Sequence, residues 1–398
     1  DVATTGELAY VTSSDTGWNG CAGTAASDGA TPTAVAVGSG GLRLIDAASP
    51  SVPFLAGFNP VGGAFATMAG DLVLVTDPDE GARLYRYTQV TDRDAGLSRY
   101  ETAVEMSKDI PASDYVVLAT GATYPDALCG ASLAYALDAP ILLVRPDGIP
   151  DEVAARITEL GATKAIVLGG TAAVGQGVID DLAALGITGD NVTRLSGSDR
   201  YETAEQIALE LESVLGAGSC DTAFVATGLN YPDALAAGGA AAKMGAPILL
   251  TKPWELPDAT ADALDALGCA DTIVLGGTGA VPDAIAADLP SPERLAGATR
   301  YDTAARIADF SLTEPSCAFT PGELFVVTGL NFPDALPCGV ISAMHDAPTL
   351  LVNTGVPGAT GAFVADHAAE VDSIRIVGGT GAVPADVEYE LFALVQGQ

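Results

Sequence analysis

Ser198-Asp199-Arg200-Tyr201-Glu202-Thr203-Ala204 decides how the whole chain is read, because near copies of it stand at Ser98-Arg99-Tyr100-Glu101-Thr102-Ala103 and Thr299-Arg300-Tyr301-Asp302-Thr303-Ala304. A stretch that returns at a near-constant spacing marks tandem copies of one unit. The 398 residues therefore divide into a leading block over 1–95 and three repeats over 96–196, 197–297 and 298–398.

Outward from Arg200 the second repeat shows the common plan. Asp199 stands at an N-cap position with Glu202 three residues on, and apolar residues follow at helical spacing from Tyr201 to Leu215. Strand patterns at 222–227, 247–251 and 271–275 alternate with helical patterns at 232–244 and 257–267, and a short helix follows from Pro282. Strands alternating with helices predict βαβ units and a parallel sheet. Cys220 and Cys269 each lie eight residues before a strand-ending glycine, Gly228 and Gly277. They therefore share a register at the starting ends of the first and third strands. Neighbouring first and third strands give the flavodoxin-like 2-1-3 order, and they place the two cysteines at disulfide range. Ligands of such sheets sit beyond the carboxyl ends of the strands.

The block over 1–95 reads as short β-type runs separated by Gly, Asp, Ser and Pro. Two stretches in it resemble blades of a β-propeller repeat, and two blades cannot close a ring. The block is expected to be a small sheet packed on the next domain, or part of a propeller that is truncated or completed by another chain.

Composition limits the function classes. Lys and Arg number 17 against 51 Asp and Glu, a formal charge of −34, which argues against nucleic acid or an anionic membrane as partner. With 48% apolar residues and 17% charged, the chain is expected to pack rather than remain disordered. The most apolar stretch, 234–250, is broken by Lys243 and Pro247, so no membrane span is expected. No Cys-x-x-Cys pair, no Gly-x-Ser-x-Gly and only two histidines, His345 and His367, speak against zinc, redox or triad chemistry. No catalytic residue, cofactor or metal site is assigned; Asp77-Pro-Asp79-Glu80 reads as a solvated turn rather than a Ca²⁺ loop. Six widely spaced cysteines suggest at least one disulfide, with buried free thiols as the alternative; the candidate pairs are Cys220–Cys269 from the strand register, Cys129–Cys338 if the repeats surround a pseudo-threefold axis, and Cys21–Cys317 by elimination.

The candidate ligand residues recur in step. Arg99, Arg200 and Arg300 follow an N-cap, where a cation opposes the helix dipole, so helix formation does not explain them. Each is expected either to pair with a carboxylate of its own repeat or to line a polar pocket. Asp126, Asp233 and Asp334 stand in the first turn after a proline. Thr120, Thr227 and Thr328 end the first strands, while Thr171, Thr278 and Thr380 close Gly-Gly-Thr turns whose backbone N–H groups are available to a ligand. The Ala- and Gly-rich helix from Ala234 to Ala242 reads as a buried surface where the repeats meet.

The triplicated Arg-Tyr-(Glu/Asp)-Thr-Ala start, the (Tyr/Phe)-Pro-Asp-Ala-Leu segments, the Ala-Pro-(Ile/Thr)-Leu-Leu strands and the Gly-Gly-Thr turns, in this order over residues 97–395, resemble the cell wall binding repeat 2 family of Gram-positive surface proteins. The resemblance implies three Rossmann- or Toprim-like α/β units associated within one chain. It also implies secretion to the cell surface and non-covalent anchoring to a secondary polymer or peptidoglycan-associated glycan of the wall. The family's motif residues fall on Arg99, Arg200, Arg300, Asp126, Asp233 and Asp334. Thr349 in place of Ile and Gly175 in place of Pro depart from the pattern. A surface enzyme or solute-binding protein that uses the same crevices for a small sugar or phosphate is the alternative.

Overall fold

The computed structural model describes residues 91–395; in the first 90 residues it describes strand backbone alone, including the antiparallel run Thr33–Gly38, Gly41–Asp46 and Phe54–Asn59. The expected Cys21 pairing and the 77–80 turn lie outside the fully described residues.

Strand β1 (Thr91–Asp94) leads into the first repeat, which runs α1 (Arg99–Ser107), β2 (Tyr115–Thr120), α2 (Pro125–Cys129), α3 (Ala131–Ala136), β3 (Ile141–Val144), α4 (Asp151–Leu160), β4 (Lys164–Leu168), α5 (Gln176–Ala184) and β5 (Val192–Leu195). The second repeat comprises α6 (Arg200–Leu215), β6 (Thr222–Thr227), α7 (Pro232–Lys243), β7 (Ile248–Thr251), α8 (Asp258–Leu267), β8 (Asp271–Leu275), α9 (Asp283–Ala286) and β9 (Pro292–Leu295). The third comprises α10 (Arg300–Thr313), β10 (Glu323–Thr328), a 3₁₀ turn at Pro333–Ala335, α11 (Cys338–Met344), β11 (Thr349–Val352), α12 (Gly358–Asp366), β12 (Ser373–Val377) and α13 (Ala385–Val395).

Local chemistry starts each repeat. Ser98 and Thr299 accept the N–H of residues 101 and 302, and Asp199 accepts those of Tyr201 and Glu202. The Glu202 carboxylate reaches back to the Ser198 N–H at 2.6 Å, and Thr299 with Asp302 completes a capping box. Thr102, Thr203 and Thr303 accept the N–H of Gly96, Gly197 and Gly297, each at 3.1 Å, which fixes the turn before the helix. β2, β3, β6 and β7 are near-continuous buried apolar runs, as strands of a sheet covered on both faces require.

The three sheets are parallel and four-stranded, in the orders β3-β2-β4-β5, β7-β6-β8-β9 and β11-β10-β12-β1. The expected 2-1-3 order is present in all three. A fourth strand beside the third was not legible in the sequence, and it closes a cycle. β5 and β9 lie just ahead of the helices that open the next repeats, and the third sheet takes its equivalent from β1, ahead of the first. The backbone marks this equivalence, since Gly169, Gly276 and Gly378 donate to the carbonyls of Leu195, Leu295 and Asp94 at 2.9, 2.9 and 2.8 Å.

The small-residue helices meet at a pseudo-threefold axis. A Cβ on Gly238 would lie 3.3 Å from the Cα of Gly339, and one on Gly339 would lie 3.0 Å from the Cβ of Ala131. One residue from each repeat thus meets at the crossing, which only glycine and alanine allow. The buried Ser132 hydroxyl donates to the Ala246 carbonyl at 2.6 Å, tying the first repeat to the second.

The disulfides are corrected. Cys129, Cys220, Cys269, Cys317 and Cys338 are buried free thiols. Pairing of Thr222 with Asp271 confirms that Cys220 and Cys269 begin neighbouring strands. Their sulfurs point elsewhere: Cys269 Sγ lies 3.1 Å from the Cys220 carbonyl, and Cys220 Sγ turns to the Gly245 carbonyl. Cys338 faces Thr349 inside its own repeat, leaving the axis to Ala131, Gly238 and Gly339. Cys317 Sγ faces the Ala240 carbonyl. Burial pushes these thiols up, to about 11 for Cys220 and about 12 for Cys269, Cys317 and Cys338, so they are protonated and unreactive at neutral pH.

Candidate functional site

The candidate residues gather at the carboxyl ends of the strands, where the helix starting at each Arg-Tyr pair meets the turn after the first strand. Arg99, Arg200 and Arg300 donate through Nη1 to the carbonyls of Gly121, Gly228 and Gly329 in their own repeats. These glycines leave room for the pair: a Cβ on Gly228 would come within 2.7 Å of the Tyr201 ring, and one on Gly121 within 3.0 Å of Arg99 and Tyr100. Thr120, Thr227 and Thr328 are buried, and their hydroxyls accept the N–H two residues on, so they shape the same turn.

The carboxylates that face the arginines come from the neighbouring repeat, not from the same one as expected. Arg200 acts electrostatically on Asp126, Arg300 on Asp233 and Arg99 on Asp334. Each crevice therefore needs two repeats, and the third exists because the first repeat meets the third around the cycle. Thr303 and Thr102 add hydroxyl contacts to Asp233 and Asp334. Burial raises the pKa of all three aspartates, and the guanidinium opposes it.

The opposite wall is the Gly-Gly-Thr turn. Gly169, Gly276 and Gly378 have φ of 99°, 91° and 105°, and a Cβ on Gly169 or Gly276 would collide with the carboxylate of Asp126 or Asp233. Glycine is required here by backbone conformation and by the close approach of the acid. Thr171, Thr278 and Thr380 lie exposed beyond the turns. Arg194 and Arg294, on the fourth strands, donate to the Gly169 and Gly276 carbonyls at 2.7 and 2.8 Å and hold the turns from behind.

The arginines at the crevices differ from those that serve the fold. Buried Arg156 engages Nε, Nη1 and Nη2 with Ser107, Glu159 and Ile110, and Arg375 likewise fills its fork. Arg99, Arg200 and Arg300 are half-buried, use Nη1 alone and stand in no salt bridge among the described residues. Each keeps Nε and Nη2 donors for a planar acceptor such as a carboxylate or phosphate. Burial of the facing carboxyls disfavours their charged form, while each guanidinium opposes that shift.

Sequence reasoning missed the aromatic residues. Tyr124, Tyr231 and Phe332, each just before a Pro-Asp pair, form a triangle of edge-to-face rings with centroids 5.4, 5.5 and 5.6 Å apart. Arg200 stands 5.9 Å from the Tyr124 ring and Arg300 5.9 Å from that of Tyr231. The recurrence of an aromatic at this place in all three repeats was the signal available.

The profile of cell wall binding domain 2 (CWB2) matches residues 93–179, 194–286 and 294–388. The chain belongs to this family. Its three repeats are cell wall binding domains, and among the described residues no helix is long and apolar enough to cross a membrane. The N-acetylmuramoyl-L-alanine amidase LytC of Bacillus subtilis (strain 168) is 32% identical over 307 residues, covering 77% of this chain and 59% of the amidase. The amidase enhancer of the same organism is 29% identical over 307 residues, 76% of this chain and 40% of the relative. The chain thus spans less than two thirds of the length of these relatives. Among solved structures, Cwp8 from Clostridium difficile shares the fold with a TM-score of 0.68 at 24% identity, over 82% of this chain and 58% of that one. Cwp6 from Clostridium difficile gives 0.67 at 22% identity, over 91% and 57%.

Proposed function

We propose that the three CWB2 repeats, associated within one chain, anchor a secreted protein non-covalently to the bacterial surface by holding a secondary wall polymer or a peptidoglycan-associated glycan at the crevices between repeats. The observation that carries this reading is the set of guanidinium forks at Arg99, Arg200 and Arg300, each tied to the fold by one nitrogen and facing a carboxyl raised by burial. The polymer's anionic groups take the spare donors, Asp126, Asp233 and Asp334 accept from sugar hydroxyls, and the backbone N–H groups at Thr171, Thr278 and Thr380 lie at the rim. Binding, not catalysis, is the role we assign to these repeats. Residues 1–95 are then a separate β-rich block held at the wall by repeats over 96–196, 197–297 and 298–398.

Co-sedimentation with purified Gram-positive walls tests this. Arg200→Gln should lower retention by roughly tenfold, the effect of losing one charge-assisted contact. Its melting temperature should fall only by the few degrees that one lost hydrogen bond implies. Equal retention on walls stripped of secondary polymers would remove the polymer as ligand.

A further inference from the structure

The three crevices share one floor. The rings of Tyr124, Tyr231 and Phe332 touch one another, all three remain partly exposed, and Arg200 and Arg300 each lie against the ring of the preceding repeat. No crevice belongs to a single repeat, because its cation and its carboxylate come from different ones. Moving one guanidinium, ring or carboxyl therefore disturbs a surface common to all three.

Resting on the anchoring reading, we propose that the crevices act as one composite site: a single short segment of anionic glycan lies across the aromatic triangle and engages all three arginines, so that one chain binds one segment. Partly exposed rings present flat apolar faces to the C–H side of a sugar, while the guanidiniums around them take its carboxylate or phosphate groups. Half-burial of the rings and arginines lowers the local dielectric and strengthens each contact, so the contacts are coupled rather than additive.

Calorimetric titration of the full chain with size-fractionated polysaccharide fragments of one to three repeat units, released from purified Gram-positive walls by mild acid, decides the matter. A composite site gives one fragment per chain. Arg99→Gln, Arg200→Gln and Arg300→Gln each then weaken binding by roughly tenfold or more, and the triple variant falls short of the product of the three losses. Tyr231→Leu, which keeps an apolar side chain under the floor, also weakens binding although every arginine remains. Three fragments per chain, dropping to two at unchanged affinity in each single arginine variant, overturns the composite site and leaves the anchoring reading standing. Fragments or walls that bind the triple variant as tightly as the parent overturn both.

Discussion

At one set of equivalent positions the first two junctions of the cycle hold apolar residues and the third holds charged ones, although Lys243 also pairs with Asp346 where the second repeat meets the third. Where the first repeat meets the second, and the second meets the third, the fourth-strand position holds buried Leu195 and Leu295, the third strand holds Ile166 and Ile273, and the end of the axial helix holds Leu137 and Met244. At the junction of the third repeat with the first, the corresponding residues are Asp94, Arg375 and His345. Arg375 donates from Nε to Asp94 at 2.5 Å and from Nη2 to Asp109 at 3.0 Å, while lying 5.4 Å from the Phe325 ring. His345 places Nε2 at 2.9 Å from Asp109 and Nδ1 at 2.7 Å from Glu323. Both ring nitrogens can donate to carboxylates only in the imidazolium form. Apolar junctions tolerate imprecise partners; an ionic one requires geometry and the right protonation state. The chain is covalently continuous through the first two junctions, whereas the third joins Asp94 to Arg375, 281 positions apart.

The largest break in this comparison is Arg375→Met. It leaves Asp94 and Asp109 without their shared cation in a mostly buried seam, and urea unfolding should show a loss of about 3–5 kcal/mol. Converting the seam to the pattern of the other two, with Asp94→Leu, Arg375→Ile and His345→Leu combined with Asp109→Asn, should be neutral or stabilising by about 1–4 kcal/mol. A large loss there would mean that the ionic seam is irreplaceable. Smaller is the pH effect of His345, whose pKa is raised from 6.5 to about 9 by hydrogen bonds to Asp109 and Glu323. A raised pKa stabilises fully below the unfolded value and fades as pH climbs through the folded one. Stability should therefore fall between pH 6.5 and 9 by about 1–2 kcal/mol once exposure is allowed for, and the slope should vanish in His345→Leu. Asp109, lowered to about 2 despite opposing desolvation by hydrogen bonds to His345 and Arg375, has the opposite sign. Its contribution is present above pH 4 and lost as pH falls through about 2, which acid unfolding with and without Asp109→Asn would measure.

The sequence carried much of this plan. Caps at Ser98, Asp199 and Thr299, the strand order and the small-residue meeting surface were legible because each rests on local spacing or on three repetitions of one pattern. The fourth strands were not, since Val192–Leu195 is four residues long and Thr91–Asp94 reads Thr-Asp-Arg-Asp, with no apolar run to announce it. The partner of each Arg was misplaced because the acids recur in step with the arginines, and a perfect repeat cannot say whether a contact is made within a unit or to its neighbour. The cysteines taught the same lesson at finer scale: their register was right, but the direction of a sulfur depends on rotamers that spacing does not encode.

The strand that completes the third sheet has a consequence in time. Asp94 and Arg375 are separated by 281 positions, so a chain made from its N-terminus exposes β1 long before its partner exists. Until β12 emerges, β1 can only wait or pair wrongly, and the closing contacts carry the loop-closure cost of nearly the whole module. The first two repeats can assemble as they appear, whereas the crevice between Arg99 and Asp334 waits for the third repeat to be made. On the anchoring reading, binding through that crevice is withheld from a nascent chain until its third repeat has been made.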